Sequence, residues 1–116
     1  MSRTQVRNQR YTLAFGVDHT PMGPFLQIWD ALFKDDYDSP LVDIDSMFGV
    51  RIKSQENLDA NPRLAELVST ISQMYKDFKK QQGVYPNLST EAVLMVAGVL
   101  GLRGPALERQ VYELWD

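Results

Sequence analysis

The chain has one histidine, His19, and it follows Asp18. A carboxylate beside an imidazole is the raw material for a general base held by an orienting acid. Adjacent residues in a turn rarely meet in the geometry a triad needs, and the serines and threonines carry no nucleophile motif. The pair therefore reads as a turn whose histidine caps its own loop. A second concentration of chemistry lies at Asp35, Asp36, Asp38, Asp43 and Asp45, five carboxylates within eleven residues. Clustered carboxylates suit calcium or magnesium. Counted from Asp43, however, the third ligand place of a calcium-binding loop is Met47 and its obligatory glycine is Phe48. One histidine cannot supply a multi-histidine site either. The segment reads as a solvated acidic loop, with no metal and no cofactor expected.

The chain has no cysteine, which excludes disulfides, thiolate nucleophiles and cysteine-held zinc or iron–sulfur sites. Glycine-rich phosphate loops, HExxH and GxSxG are absent too. The sequence leans toward a non-catalytic protein.

What remains is recognition. Residues 1–10 carry Arg3, Arg7 and Arg10 and no acid, residues 11–50 carry seven aspartates against one lysine, and residues 51–116 carry eight charges of each sign. Trp29, Phe33 and Tyr37 follow closely on one another beside the polar loop, which is too small to cover all three. Aromatic groups rimmed by charge are the usual anatomy of an interface. Trp29, Phe33, Tyr37, Arg3, Arg7 and Arg10 are therefore the candidate partner-binding residues.

These residues need elements to hold them. Tyr11, Leu13, Phe15 and Val17 alternate with Thr12, Ala14, Gly16 and Asp18, giving one large apolar face and one small or polar face. Thr20-Pro21-Met22-Gly23 reads as a β-turn, and Phe25 to Trp29 as the returning, central strand. Phe48, Val50 and Ile52 alternate with Gly49, Arg51 and Lys53 as a third strand near 47–53. Leu41, Val42 and Ile44 form a short strand or an extended lead-in. Residues 1–10 show no hydrophobic period and read as a flexible basic arm.

Asn61-Pro62 is a helix start, with asparagine at the cap and proline at the first position. Leu64, Leu67, Val68, Ile71, Met74, Tyr75 and Phe78 then recur at spacings of three and four, and Gly83 closes the helix. Ser89 caps a second helix whose run from Ala92 to Leu102 is apolar or glycine throughout. Gly104-Pro105 opens a third. The helices are placed at about 62–82, 90–101 and 105–115. The core is expected to hold Leu67, Val68, Ile71, Met74, Phe78, Val93, Val96, Leu100, Phe15 and Ile28.

A length of 116 residues is one domain by default, and 44% hydrophobic residues with 23% charged is ordinary globular usage. Strands followed by helices imply an α+β class: an antiparallel sheet of about three strands packed against three C-terminal helices. The domain spans 11–116, preceded by the arm. The longest apolar run is far short of a membrane span, and with no signal peptide and no cysteine the chain reads as cytoplasmic.

The function expected is a small protein-interaction or regulatory module, a homodimer, with no sequence-specific nucleic acid and no membrane as partner. One alternative is a nucleic-acid-binding regulator. Ala97, Gly101-Leu102 and Leu107 fall near helix-turn-helix places, but the second helix sets Arg109 and Gln110 against Glu108, Glu113 and Asp116, whereas recognition helices bring cations to phosphates. The other alternative is a small-ligand site or enzyme around Asp18, His19 and the Asp-rich loop.

Overall fold

The alternation in Tyr11–Asp18 becomes a strand with a dry face and a shallow face, and the molecule is built on both. The computed structural model describes residues 2–18, 23–34 and 38–115. Among these, five strands form one antiparallel sheet: β1 (Ser2–Arg7), β2 (Tyr11–Asp18), β3 (Gly23–Asp30), β4 (Val42–Asp45) and β5 (Gly49–Ile52). Their spatial order is their chain order, so β3 is central as its two-sided apolar character requires.

The sheet has five strands where the sequence indicated about three. The first addition is β1, formed by the residues expected as a flexible arm. It pairs with β2 along its length, from Ser2 opposite Val17 to Arg7 opposite Thr12. An edge strand needs only one partly buried side, and β1 meets that with Thr4 and Val6, of which Val6 packs on the core. The second is β4, whose VDID carries a carboxylate at every other place and so resembles loop composition.

The helices are α1 (Gln55–Asp59), α2 (Pro62–Gln82), α3 (Thr90–Leu100) and α4 (Pro105–Trp115). The last three agree with the sequence to within a residue. α1 is a single extra turn capped by Ser54, which accepts from the Asn57 amide. Asn61 accepts from the Leu64 amide and Ser89 from that of Ala92, as expected of N-caps. Gly83 and Gly101 end α2 and α3 with φ of 80° and 77°, a left-handed conformation that costs glycine little.

Leu13, Phe15, Leu26, Ile28, Val42 and Ile44 form the covered face of the sheet and have no exposed surface. They join one cluster with Val68 and Ile71 of α2, Val93 and Val96 of α3, and Leu107 and Val111 of α4. At roughly 1.5–3 kcal/mol per large side chain, this layer dominates the stabilisation.

The apolar stripe of α2 is narrower than its sequence pattern. Leu64, Val68, Ile71 and Tyr75 are buried, but Leu67 is half-buried, and Met74 and Phe78, both expected in the core, are 53% and 40% exposed. The reason is angular. At about 100° per residue, Leu67 and Met74 lie about 60–80° round from Leu64. Phe78 sits on the last two turns, where every residue from Lys76 to Gln82 is exposed. Tyr75 is buried with its hydroxyl unpaired among the described residues, and burial pushes its phenol well above the ordinary range.

Candidate partner-binding groove

The other face of the sheet follows from the small half of the same alternation. Thr12, Ala14 and Gly16 lie on it in β2. Beside them the register sets Arg3, Gln5 and Arg7 of β1 on one side and Phe25, Gln27 and Trp29 of β3 on the other. Short side chains between two rows of long ones leave a trough, and the long side chains lean across it. The Arg3 guanidinium lies 5.6 Å from the centre of the Trp29 ring, and its Nη1 donates to Gln27 Oε1 at 2.9 Å. Among the described residues the partners of Arg3 are thus neutral, a ring face and an amide oxygen, and no carboxylate compensates its charge. Arg7 has no ion-pair partner among the described residues.

The end of the trough is built by two connections. Between β1 and β2, Asn8 Oδ1 accepts from the amides of Arg10 and Tyr11, and its Nδ2 donates to the Leu100 carbonyl of α3. After β3 the chain turns: Phe33 N donates to Asp30 O at 3.0 Å, and Asp30 Oδ1 accepts from Leu32 N at 2.9 Å. Asp30 is buried, and Arg10 meets it with Nε and Nη2, both at 3.3 Å. The bond to Asp30 holds the Arg10 guanidinium more firmly protonated, against the opposing effect of its burial. The indole Nε1 of Trp29 donates to the carbonyl of Asp38 at 3.0 Å, and Asp38 itself turns at φ 51°. Asparagine and aspartate tolerate that conformation better than most side chains.

The result is a groove of about 550 Å³. Arg3, Arg7, Arg10, Trp29 and Phe33 all line it, so five of the six candidate partner-binding residues come together. The sixth, Tyr37, lies outside the described residues, as do His19, Asp35 and Asp36. Two residues that engage the groove's arginines are not among the sequence candidates: Gln27, which steadies Arg3, and Asp30, which neutralises Arg10. The signal for Gln27 was present: it occupies the same face of β3 as Trp29, two residues away. No pattern marked Asp30 as the buried partner of an arginine twenty residues earlier.

The described lining carries four cations, Arg3, Arg7, Arg10 and Lys34, against two carboxylates, Asp30 and Asp38, with two aromatic rings and several amides. It contains no histidine, serine or cysteine. Such a set binds and orients charged groups.

Further across the same face, Arg51 of β5 bridges two acids of the Asp-rich segment. Its Nη2 donates to Asp43 Oδ2 at 2.9 Å and Asp45 Oδ2 at 3.1 Å. Asp45 is buried, and its Oδ1 accepts from the amides of Met47 and Phe48. Burial raises the pKa of Asp43, Arg51 opposes the rise, Asp45 adds to it, and the Gln27 amide lowers it slightly. These acids therefore serve the β4–β5 turn. Among the described residues no group of three or more acidic or histidine side chains converges on a metal position. In the α3–α4 pair, Arg103 is engaged by Glu108 at 2.7 Å, which removes one cation from the helix-turn-helix surface.

No helix among the described residues is long and apolar enough to cross a membrane. No protein-family model, curated protein or solved structure matches the chain.

Proposed function

We propose that this chain is a small non-catalytic binding module that holds a protein partner through the groove on the open face of its sheet. One observation carries the reading: side chains from three strands and two connections converge on a 550 Å³ groove with aromatic walls, in which Arg3 and Arg7 have no carboxylate partner among the described residues. Arginine and tryptophan are the residues that most often dominate the energetics of protein interfaces. Trp29 and Phe33 are half-buried, which favours a charged partner over an apolar seam between two copies.

A nucleic acid fits the site less well. Affinity for DNA or RNA rests on several phosphate neutralisations at once. Here Arg10 is spent on Asp30, and the carboxylates of Asp30 and Asp38 share the groove. The net charge of the chain is −3.

The test is calorimetric titration at about 0.15 M salt, the physiological value, with poly-L-glutamate, poly-L-lysine and a mixed-sequence duplex DNA. The reading expects saturable binding of polyglutamate, lost in Arg7→Glu, and none of the other two. Submicromolar binding of the duplex with no response to polyglutamate would replace this reading with the nucleic-acid one.

A further inference from the structure

We infer that the partner of this groove is an extended acidic segment that adds as a sixth strand to the free edge of β1, with carboxylates four residues apart meeting Arg3 and Arg7. The inference rests on the binding-module reading and goes further by naming the partner's conformation and spacing.

β1 ends the sheet, so half of its backbone N–H and C=O groups point away from β2, with no strand beyond them among the described residues. Natural sheets guard such edges with proline, bulges, inward charges or a covering element. β1 has none of the first three: SRTQVR contains no proline, its register with β2 runs unbroken over six pairs, and Val6 is its inward anchor. The opposite edge differs. β5 is only four residues long and α2 packs beside it.

Among the described residues the guard on β1 is charge, and it is of one sign. Two copies of β1 pairing about a two-fold axis within one sheet would set Arg3 opposite Arg7 of the partner, or slip by two residues and crowd the same charges diagonally. Like charges across a strand pair destabilise it, and opposite charges stabilise it. The guard therefore rejects a second copy and admits an acidic strand.

Spacing completes the argument. Arg3, Gln5 and Arg7 share the open face, and Arg3 and Arg7 stand about 13 Å apart at 3.3 Å per residue. A strand laid outside β1 has the same repeat, so carboxylates at i and i+4 lie beside both arginines, and Arg3 swings outward from Gln27 and the Trp29 ring to meet its own. The residue between them lies beside the Gln5 amide and is polar. The alternate residues continue the row of Thr4 and Val6 and are β-branched. Backbone pairing supplies affinity in this mode and side-chain spacing supplies specificity.

The decisive experiment uses the full chain and blocked peptides in calorimetry at about 0.15 M salt. The parent peptide is TEVTVET. The inference expects saturable binding, weakened about tenfold or more when the acids are made adjacent in TEEVTVT. It expects Arg7→Glu to abolish binding and a peptide with one acid changed to lysine to restore it. Methylating the backbone nitrogens of one alternate set should abolish binding, while methylating the other set leaves it intact. Equal binding by both methylated peptides would overturn the strand addition and leave the groove reading standing. Failure of every peptide and of polyglutamate would overturn both. A dimer in sedimentation that the parent peptide does not dissociate would assign the edge to a second copy and overturn the inference.

Discussion

Ile28 and Trp29 are neighbours in β3, yet they belong to different materials. Ile28 points into a face with no exposed surface, shared with Leu13, Leu26 and Val42. Trp29 points into a half-open groove between an arginine and a carbonyl. The covered face is held by apolar contact, which is non-directional and tolerates changes that keep volume. The open face is held by placed charges and hydrogen bonds, each with one geometry. One period-two alternation builds both, so the two faces should separate cleanly under mutation.

The largest effect is expected on the covered face. Ile28→Ala should cost about 2–5 kcal/mol in urea unfolding. Trp29→Ala, next to it, should cost about 1 kcal/mol of stability while releasing Arg3 from the ring. Equal stability losses would show that the open face is also core.

A middle-sized effect tests the trough itself. Ala14 lies on the open face but has no exposed surface, because long side chains lean over it. Ala14→Leu should destabilise the fold by about 1–3 kcal/mol through overpacking and reduce polyglutamate binding in the same protein. A leucine accepted at no cost would mean that the leaning side chains are loosely held.

Smaller still is the effect at the Tyr75 phenol on the covered side, unpaired among the described residues. A buried hydroxyl without a partner carries a desolvation cost, so Tyr75→Phe should raise stability by about 1 kcal/mol. A loss of that size would reveal a hydrogen bond to the phenol.

The smallest effect is a slope. Burial raises the folded-state pKa of Asp43, so the folded protein keeps this proton to higher pH than the unfolded chain does. Stability from this group is therefore complete below the ordinary carboxylate range and falls as pH rises through the raised value. Urea midpoints of the native protein and Asp43→Asn, measured from about pH 3 to pH 6, should show the native protein losing ground as pH increases. The opposite slope would mean that Arg51 outweighs burial.

The covered face was the more legible of the two. Its strands and three long helices declare themselves through periodicity, caps and the glycines that follow them, because those signals depend on residues within a few places of one another. The exposure of Met74 and Phe78 escaped such reasoning because the pattern of α2 reports an apolar side and is silent on how far the sheet extends beneath it. β1 escaped, and β4 stayed open between a short strand and a lead-in, because each needs a neighbour to make its polar side chains acceptable: Thr12, Ala14 and Gly16 give the β1 arginines room, and Arg51 offsets the acids of β4. The six candidate binding residues stand out in the sequence by type and position alone, and pairing of β1 with β2 is what gathers five of them. The Arg10–Asp30 contact had no local cue, since register brings the two together across twenty residues of chain.

The indole of Trp29 has an optical consequence. Its ring lies under a guanidinium and its N–H is bound to the Asp38 carbonyl, so its excited state feels a fixed charge and a fixed dipole. The chain has only one other tryptophan, Trp115. In Trp115→Phe the emission spectrum would come from the groove alone. A carboxylate that draws Arg3 away would change both intensity and wavelength without any attached dye, and the groove would report its own occupancy in real time.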